Sequence, residues 1–105
     1  NDLRRLAARA IFGLARTGSS YSNGSGDFAI AFSTAKDLRV AHGSTLITPR
    51  PTLPTEALSP LFEAVLEATE EAVLNSLFKA ETTTGNGRTV QAIDIEAVRE
   101  LLKKP

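Results

Sequence analysis

From Leu3 onward apolar residues recur at helical spacing. Leu3, Leu6, Ala7, Ala10, Ile11 and Leu14 fall at i, i+3 and i+4 and predict one buried helical face. Asn1 or Asp2 stands where an N-cap belongs, and Gly18 follows the last turn as a stop. Arg5, Arg9 and Arg16 share the opposite side, with Phe12 beside them. In a neutral chain such a stripe reads as a solvated face rather than a phosphate-binding one. After a polar loop over residues 18–26 the period changes. Phe28, Ile30 and Phe32 alternate with Ala29, Ala31 and Ser33, which is a strand pattern. Both faces of that strand are largely apolar, so it is predicted to be central and covered on each side.

Residues 36–54 are too many for a structureless loop in a compact domain. Thr45, Leu46, Ile47 and Thr48, bounded by Gly43 and Pro49, predict a second strand near 44–48, which Val40 can extend. Pro51 and Pro54 then mark an extended surface connection. The longest helix is predicted from Thr55 or Ser59 to Ala80, with Ser59 as cap and Pro60 tolerated in the first turn. Leu58, Leu61, Phe62, Val65, Leu66, Val73 and Leu77 make its apolar face, and Glu63, Glu67 and Glu70 a solvated stripe. Leu74 and Phe78 intrude on the glutamate side, so the final turns call for a cover all round. Residues 82–87 carry turn chemistry centred on Asn86-Gly87. Asp94 caps a last short helix that turns Ile95, Val98, Leu101 and Leu102 inward, with Lys103 and Lys104 at its negative end.

This inventory is α/β, with three helices and two or three strands. A two-stranded sheet is marginal by itself. The pattern therefore suggests part of a larger α/β sandwich rather than a whole domain. Length agrees: 105 residues allow one domain at most, burying roughly 60–70% of the unfolded surface. Twelve basic and twelve acidic residues cancel, which gives no net field for nucleic acid or an anionic membrane. Neither a membrane-spanning run nor a signal peptide is visible, and a cytoplasmic location is expected. The absence of cysteine excludes disulfides and thiolate chemistry, and a single histidine supports no metal cluster. No cofactor is expected. With no methionine, the chain is not expected to be an intact translation product, and Asn1 is read as an end produced by cleavage or by omission of preceding residues.

The candidate chemistry lies in Asn23-Gly24-Ser25-Gly26-Asp27. Gly24-x-Gly26-x-x-Ala29 loosely matches a dinucleotide fingerprint, but that motif follows a strand and opens a helix. Here the order is reversed, and Asp27 would repel phosphate. A Ser-His-Asp triad would need His42, which sits in a separate loop with no acid at an informative spacing. Gly-x-Ser-x-Gly, the nucleophile elbow, is not present as such. Ser25 thus lacks a base and makes a poor primary nucleophile. An assisting role suits it better: flanking glycines permit close backbone approach, and the hydroxyl can both donate and accept. Asp27 can hold a substrate ammonium or orient that hydroxyl. A glycine-rich turn with Asp27 bonded to local amides explains the same residues. On spacing alone both readings stand.

The runs LRRLAARAIFGLARTG, NGSGDFAIAFST and EATEEAVLNSLFKAETTTGNGRTVQAI resemble the C-terminal portion of DmpA-type aminopeptidases. This is the D-aminopeptidase and β-aminopeptidyl peptidase family, peptidase family S58. The resemblance covers nearly the whole chain, and the NGSGD motif with its flanks carries most of it. It implies an αββα sandwich like that of N-terminal-nucleophile hydrolases, made by a precursor that cuts itself into α and β chains. The new N-terminal serine of the β chain would be the nucleophile, with its own amine as base. It would release N-terminal residues from small peptides, amides or esters through an acyl-enzyme. By the resemblance this chain is the β portion without its first stretch, and the nucleophile lies upstream of Asn1. Ser25 and Asp27 then assist catalysis, while the α chain completes the pocket and the αβ units form a homo-oligomer. Residues 19–22, Ser-Ser-Tyr-Ser, depart from the more glycine-rich loop of the family, which bears on pocket shape. A self-cleaving acyltransferase of the ornithine acetyltransferase type is the alternative, and a catalytically inactive assembly subunit of the same fold is another.

Overall fold

The computed structural model describes residues 1–103. It contains three α-helices, α1 (Asp2–Arg16), α2 (Ser59–Phe78) and α3 (Ile95–Leu102). A single hairpin joins β1 (Thr83–Gly85) to β2 (Arg88–Val90). Short 3-10 turns occur at Lys36–Leu38 and immediately before α2 at Thr55–Leu58. α1 ends near the predicted stop, where the Gly18 N–H donates to the Ala15 carbonyl at 3.2 Å and Gly18 turns to φ +89°. Leu58 rather than Ser59 occupies the N-cap position of α2, and no side chain caps that end. Asp94 caps α3 as expected, its Oδ1 accepting from the Ala97 N–H at 3.0 Å. Lys103 pairs with Glu100 at 2.7 Å, and Lys104 lies outside the described residues.

α1 and α2 pack against each other, and the contact takes in arginines of α1 that the hydrophobic period places outside the buried face. Arg5 and Arg9 lie over the Phe62 ring, 4.9 and 4.2 Å from its centroid, and Arg16 meets Glu70 at 2.8 Å. The expectation of two solvated charged stripes is therefore corrected for Arg5, Arg9 and Glu70, which are half-buried, while Arg16 stays exposed as expected. The guanidinium planes stack on an aromatic face while their stems cover apolar surface. Gly13, which has no side chain, lets the two backbones approach at the same interface. The predicted apolar side of α1 remains half-buried or exposed, and Phe12, beside the arginines, is exposed.

In the hairpin, Asn86 and Gly87 both have positive φ (48° and 70°), as a tight two-residue hairpin turn requires. The antiparallel register pairs Thr83 with Val90, Thr84 with Thr89 and Gly85 with Arg88. The two threonine hydroxyls of the middle pair lie 2.9 Å apart. The turn chemistry over residues 82–87 predicts no strand there; Thr83, Thr84 and Gly85 instead form one arm of the ladder, in keeping, for the two threonines, with the strand preference of β-branched residues.

The two strands predicted near 28–32 and 44–48 are not formed among the described residues. Both stretches lack ladder partners and are exposed, Phe28 at 95% and Ile47 at 100%. A strand exists only through a neighbour, and the chain supplies none for either stretch. Apart from the turn at Lys36–Leu38, residues 36–54 are irregular, against the expectation that they could not be. The apolar last turns of α2 also stay uncovered, with Leu74 and Phe78 exposed. Among the described residues only Gly13 and Leu58 are buried. The Cα radius of gyration is 19.9 Å, where a compact domain of this length would have roughly 13 Å. The described residues close no core of their own beyond Gly13 and Leu58.

Candidate active site

The loop that leaves α1 carries the candidate chemistry. Its path is set by local backbone preferences. Gly18 takes a positive φ directly after the helix, and Tyr21 follows in the left-handed region at φ +47°. The Tyr21 hydroxyl donates to the carbonyl of Ile11 in α1. A turn then reverses the chain: the Ser25 N–H donates to the Ser22 carbonyl at 3.0 Å, with Gly24 at φ +91° inside it. Only glycine adopts that conformation without steric cost, which explains one glycine beside the serine.

Beyond the turn, the Ser25 hydroxyl donates to Asp27 Oδ2 at 3.4 Å. The two residues expected to act together are brought together. The bond is longer than the 2.5–3.0 Å of a strong O–H···O contact, and both side chains are exposed. A pair held so loosely is free to turn toward a third group. His42 lies in another exposed loop and makes no hydrogen bond to either residue among the described contacts. Nor do three or more His, Asp or Glu side chains cluster as a metal site would need, among the described residues.

Asp27 also forms one wall of an open groove of about 340 Å³. Arg4, Ala7, Ala8 and Ile11 of α1 face it, and Phe28 continues the wall beside Asp27. Two small alanines leave the space, and a cation and an anion border it. Neither Arg4 nor Tyr21 is among the site residues that the sequence motifs single out. Arg4 had no signal of its own on a helix with several arginines. Tyr21 did: it is the one aromatic residue in a serine- and glycine-rich loop.

The glycine-flanked Ser-x-Asp loop, set between α1 and the long α2, belongs to a small α/β arrangement, and sequence comparison specifies the family. The family model of peptidase family S58 matches residues 1–90, and the chain belongs to that family. Over 105 residues it is 45% identical to the β-peptidyl aminopeptidase BapA of Sphingosinicella microcystinivorans, covering 99% of this chain and 26% of that protein. Identity to the β-peptidyl aminopeptidase BapA of Sphingosinicella xenopeptidilytica is 36% over 104 residues, 98% of this chain and 26% of the relative. The crystal structure of the PH0078 protein from Pyrococcus horikoshii OT3 superposes with a TM-score of 0.83 at 44% identity. That match covers 95% of this chain and 28% of the other. The chain thus spans about a quarter of the length of the relatives it matches. No helix among the described residues is long and apolar enough to cross a membrane.

Proposed function

We propose that this chain forms part of a self-processed serine aminopeptidase that removes N-terminal residues from small peptides, amides or esters. The observation that carries the reading is the Ser25–Asp27 pair on a glycine-flanked loop, in a family S58 chain 45% identical to a β-peptidyl aminopeptidase. The nucleophile in this reading is not Ser25, which has a carboxylate beside it but no base. It is a chain-terminal serine whose own α-amine takes the hydroxyl proton, supplied by a segment outside the residues described. Its oxygen attacks the carbonyl of the substrate's first residue. The C–N bond breaks, the leaving amine takes the proton, and water then cleaves the acyl-serine ester.

Ser25 donates a hydrogen bond to the nucleophile or its amine, and Asp27 accepts from the ammonium of the substrate. A hydroxyl flanked by glycines can approach such partners closely. The unformed strands and the uncovered helix end fit an αββα sandwich completed by the α chain of the same precursor. The test uses full-length protein with an aminoacyl p-nitroanilide as substrate. Ser25→Ala and Asp27→Asn are each expected to lower kcat/KM by about 100-fold, with the circular dichroism spectrum unchanged. Wild-type kinetics in both variants would return the loop to a plain turn.

A further inference from the structure

We propose that Tyr21 is a positioning residue: it pins the loop to α1 and so holds the Ser25–Asp27 pair in place. This rests on the reading of that pair as part of the active site. Three observations converge on Tyr21. Its hydroxyl, donated to the Ile11 carbonyl, makes the only hydrogen bond between residues 19–35 and α1 among the described residues. A helix-interior carbonyl has a lone pair to spare beside its helical bond, so the contact costs α1 nothing. The residue also holds φ +47°, a conformation unfavourable for a tyrosine and retained only where the surroundings enforce it.

The third observation is where the pin stands. Residues 22–24 alone separate it from Ser25, and those residues form the Ser22–Ser25 turn. Downstream, Asp27 faces the same turn of α1 across the groove, where Ile11 and Ala8 are on the opposite wall. The loop is thus bonded to Ile11 through Tyr21 and lines, through Asp27, a groove that Ile11 also lines. Free Ser- and Gly-rich backbone would otherwise sample many conformations, and the 3.4 Å contact between Ser25 and Asp27 is too weak to organise them. The hydroxyl matters here rather than the ring.

The experiment is Tyr21→Phe in the full-length protein, which removes the donor and keeps the ring. It is expected to lower kcat by about 10-fold with a smaller change in KM. Amide exchange at Ser25 should accelerate, and the melting temperature should hardly move. Placed in a background that carries both Ser25→Ala and Asp27→Asn, Tyr21→Phe should cause no further loss, because both groups it positions are already gone. Wild-type kcat, unaltered exchange at Ser25, or a further loss in that combined variant would each overturn the proposal. Wild-type kinetics in Ser25→Ala and Asp27→Asn would instead remove the active-site reading itself, whatever Tyr21→Phe does.

Discussion

Gly13 of α1 and Thr69 of α2 lie so close that a Cβ on Gly13 would stand 2.8 Å from the Thr69 Cβ. The same Cβ would be 3.1 Å from the carbonyl oxygen of Leu66, which cannot move without bending α2. Gly13 is one of two buried residues in the described chain. The helix pair is therefore built on a missing side chain.

Two effects oppose each other at this position. Gly13→Ala would gain about 1 kcal/mol of helix propensity, but overpacking costs about 1–3 kcal/mol. The clash is against backbone as well as side chain, so the loss should win. Thermal melts of the full-length protein are expected to show a lower Tm for Gly13→Ala. A raised Tm would mean that α2 yields at this contact by a few tenths of an ångström at little cost.

Arg9 and Phe62 provide a second test of this interface. The guanidinium carbon lies 4.2 Å from the ring centroid, and Arg5 approaches the same ring at 4.9 Å. A double-mutant cycle with Arg9→Met and Phe62→Leu should return a coupling of about 0.5–1 kcal/mol. Both replacements keep apolar bulk, so the coupling reports the stacking and not the packing. A coupling near zero would restore the solvated reading of the arginine stripe.

Residues 1–105 produced alone should not behave as a folded domain. Phe28, Ile30 and Ile47 are 95%, 88% and 100% exposed, and no core encloses them. Such an apolar surface is expected to bind the dye ANS and to promote association. A monomeric isolated chain that melts cooperatively without binding the dye would contradict this.

Much of the local structure was legible in the residues. The helical period from Leu3 to Leu14, the Gly18 stop, the Asp94 cap and the Asn86-Gly87 turn all depend on neighbours within a few positions. Short-range physics decides them, so they can be read from a single chain. The Ser25–Asp27 pair was legible for the same reason, because residues two apart in a glycine-rich turn cannot stray far from each other. Tyr21 reaching ten positions back to Ile11 was not. Nor were the strand assignments at 28–32 and 44–48 secure. Their alternation signals surfaces that need covering, but a ladder also needs a partner strand, and a period contains no information about the partner.

The sequence by itself thus determined where α1, α2 and α3 begin and end to within a few residues, which loop carries the serine and carboxylate, and which family the pattern resembles. Tertiary structure decided which side chains meet across the helix pair. The hydrophobic period predicts a buried face for α1, but not the close approach at Gly13, the stacking of Arg5 and Arg9 on Phe62 or the Arg16–Glu70 pair. Shape complementarity between two helices is a property of both, and neither sequence segment contains it alone.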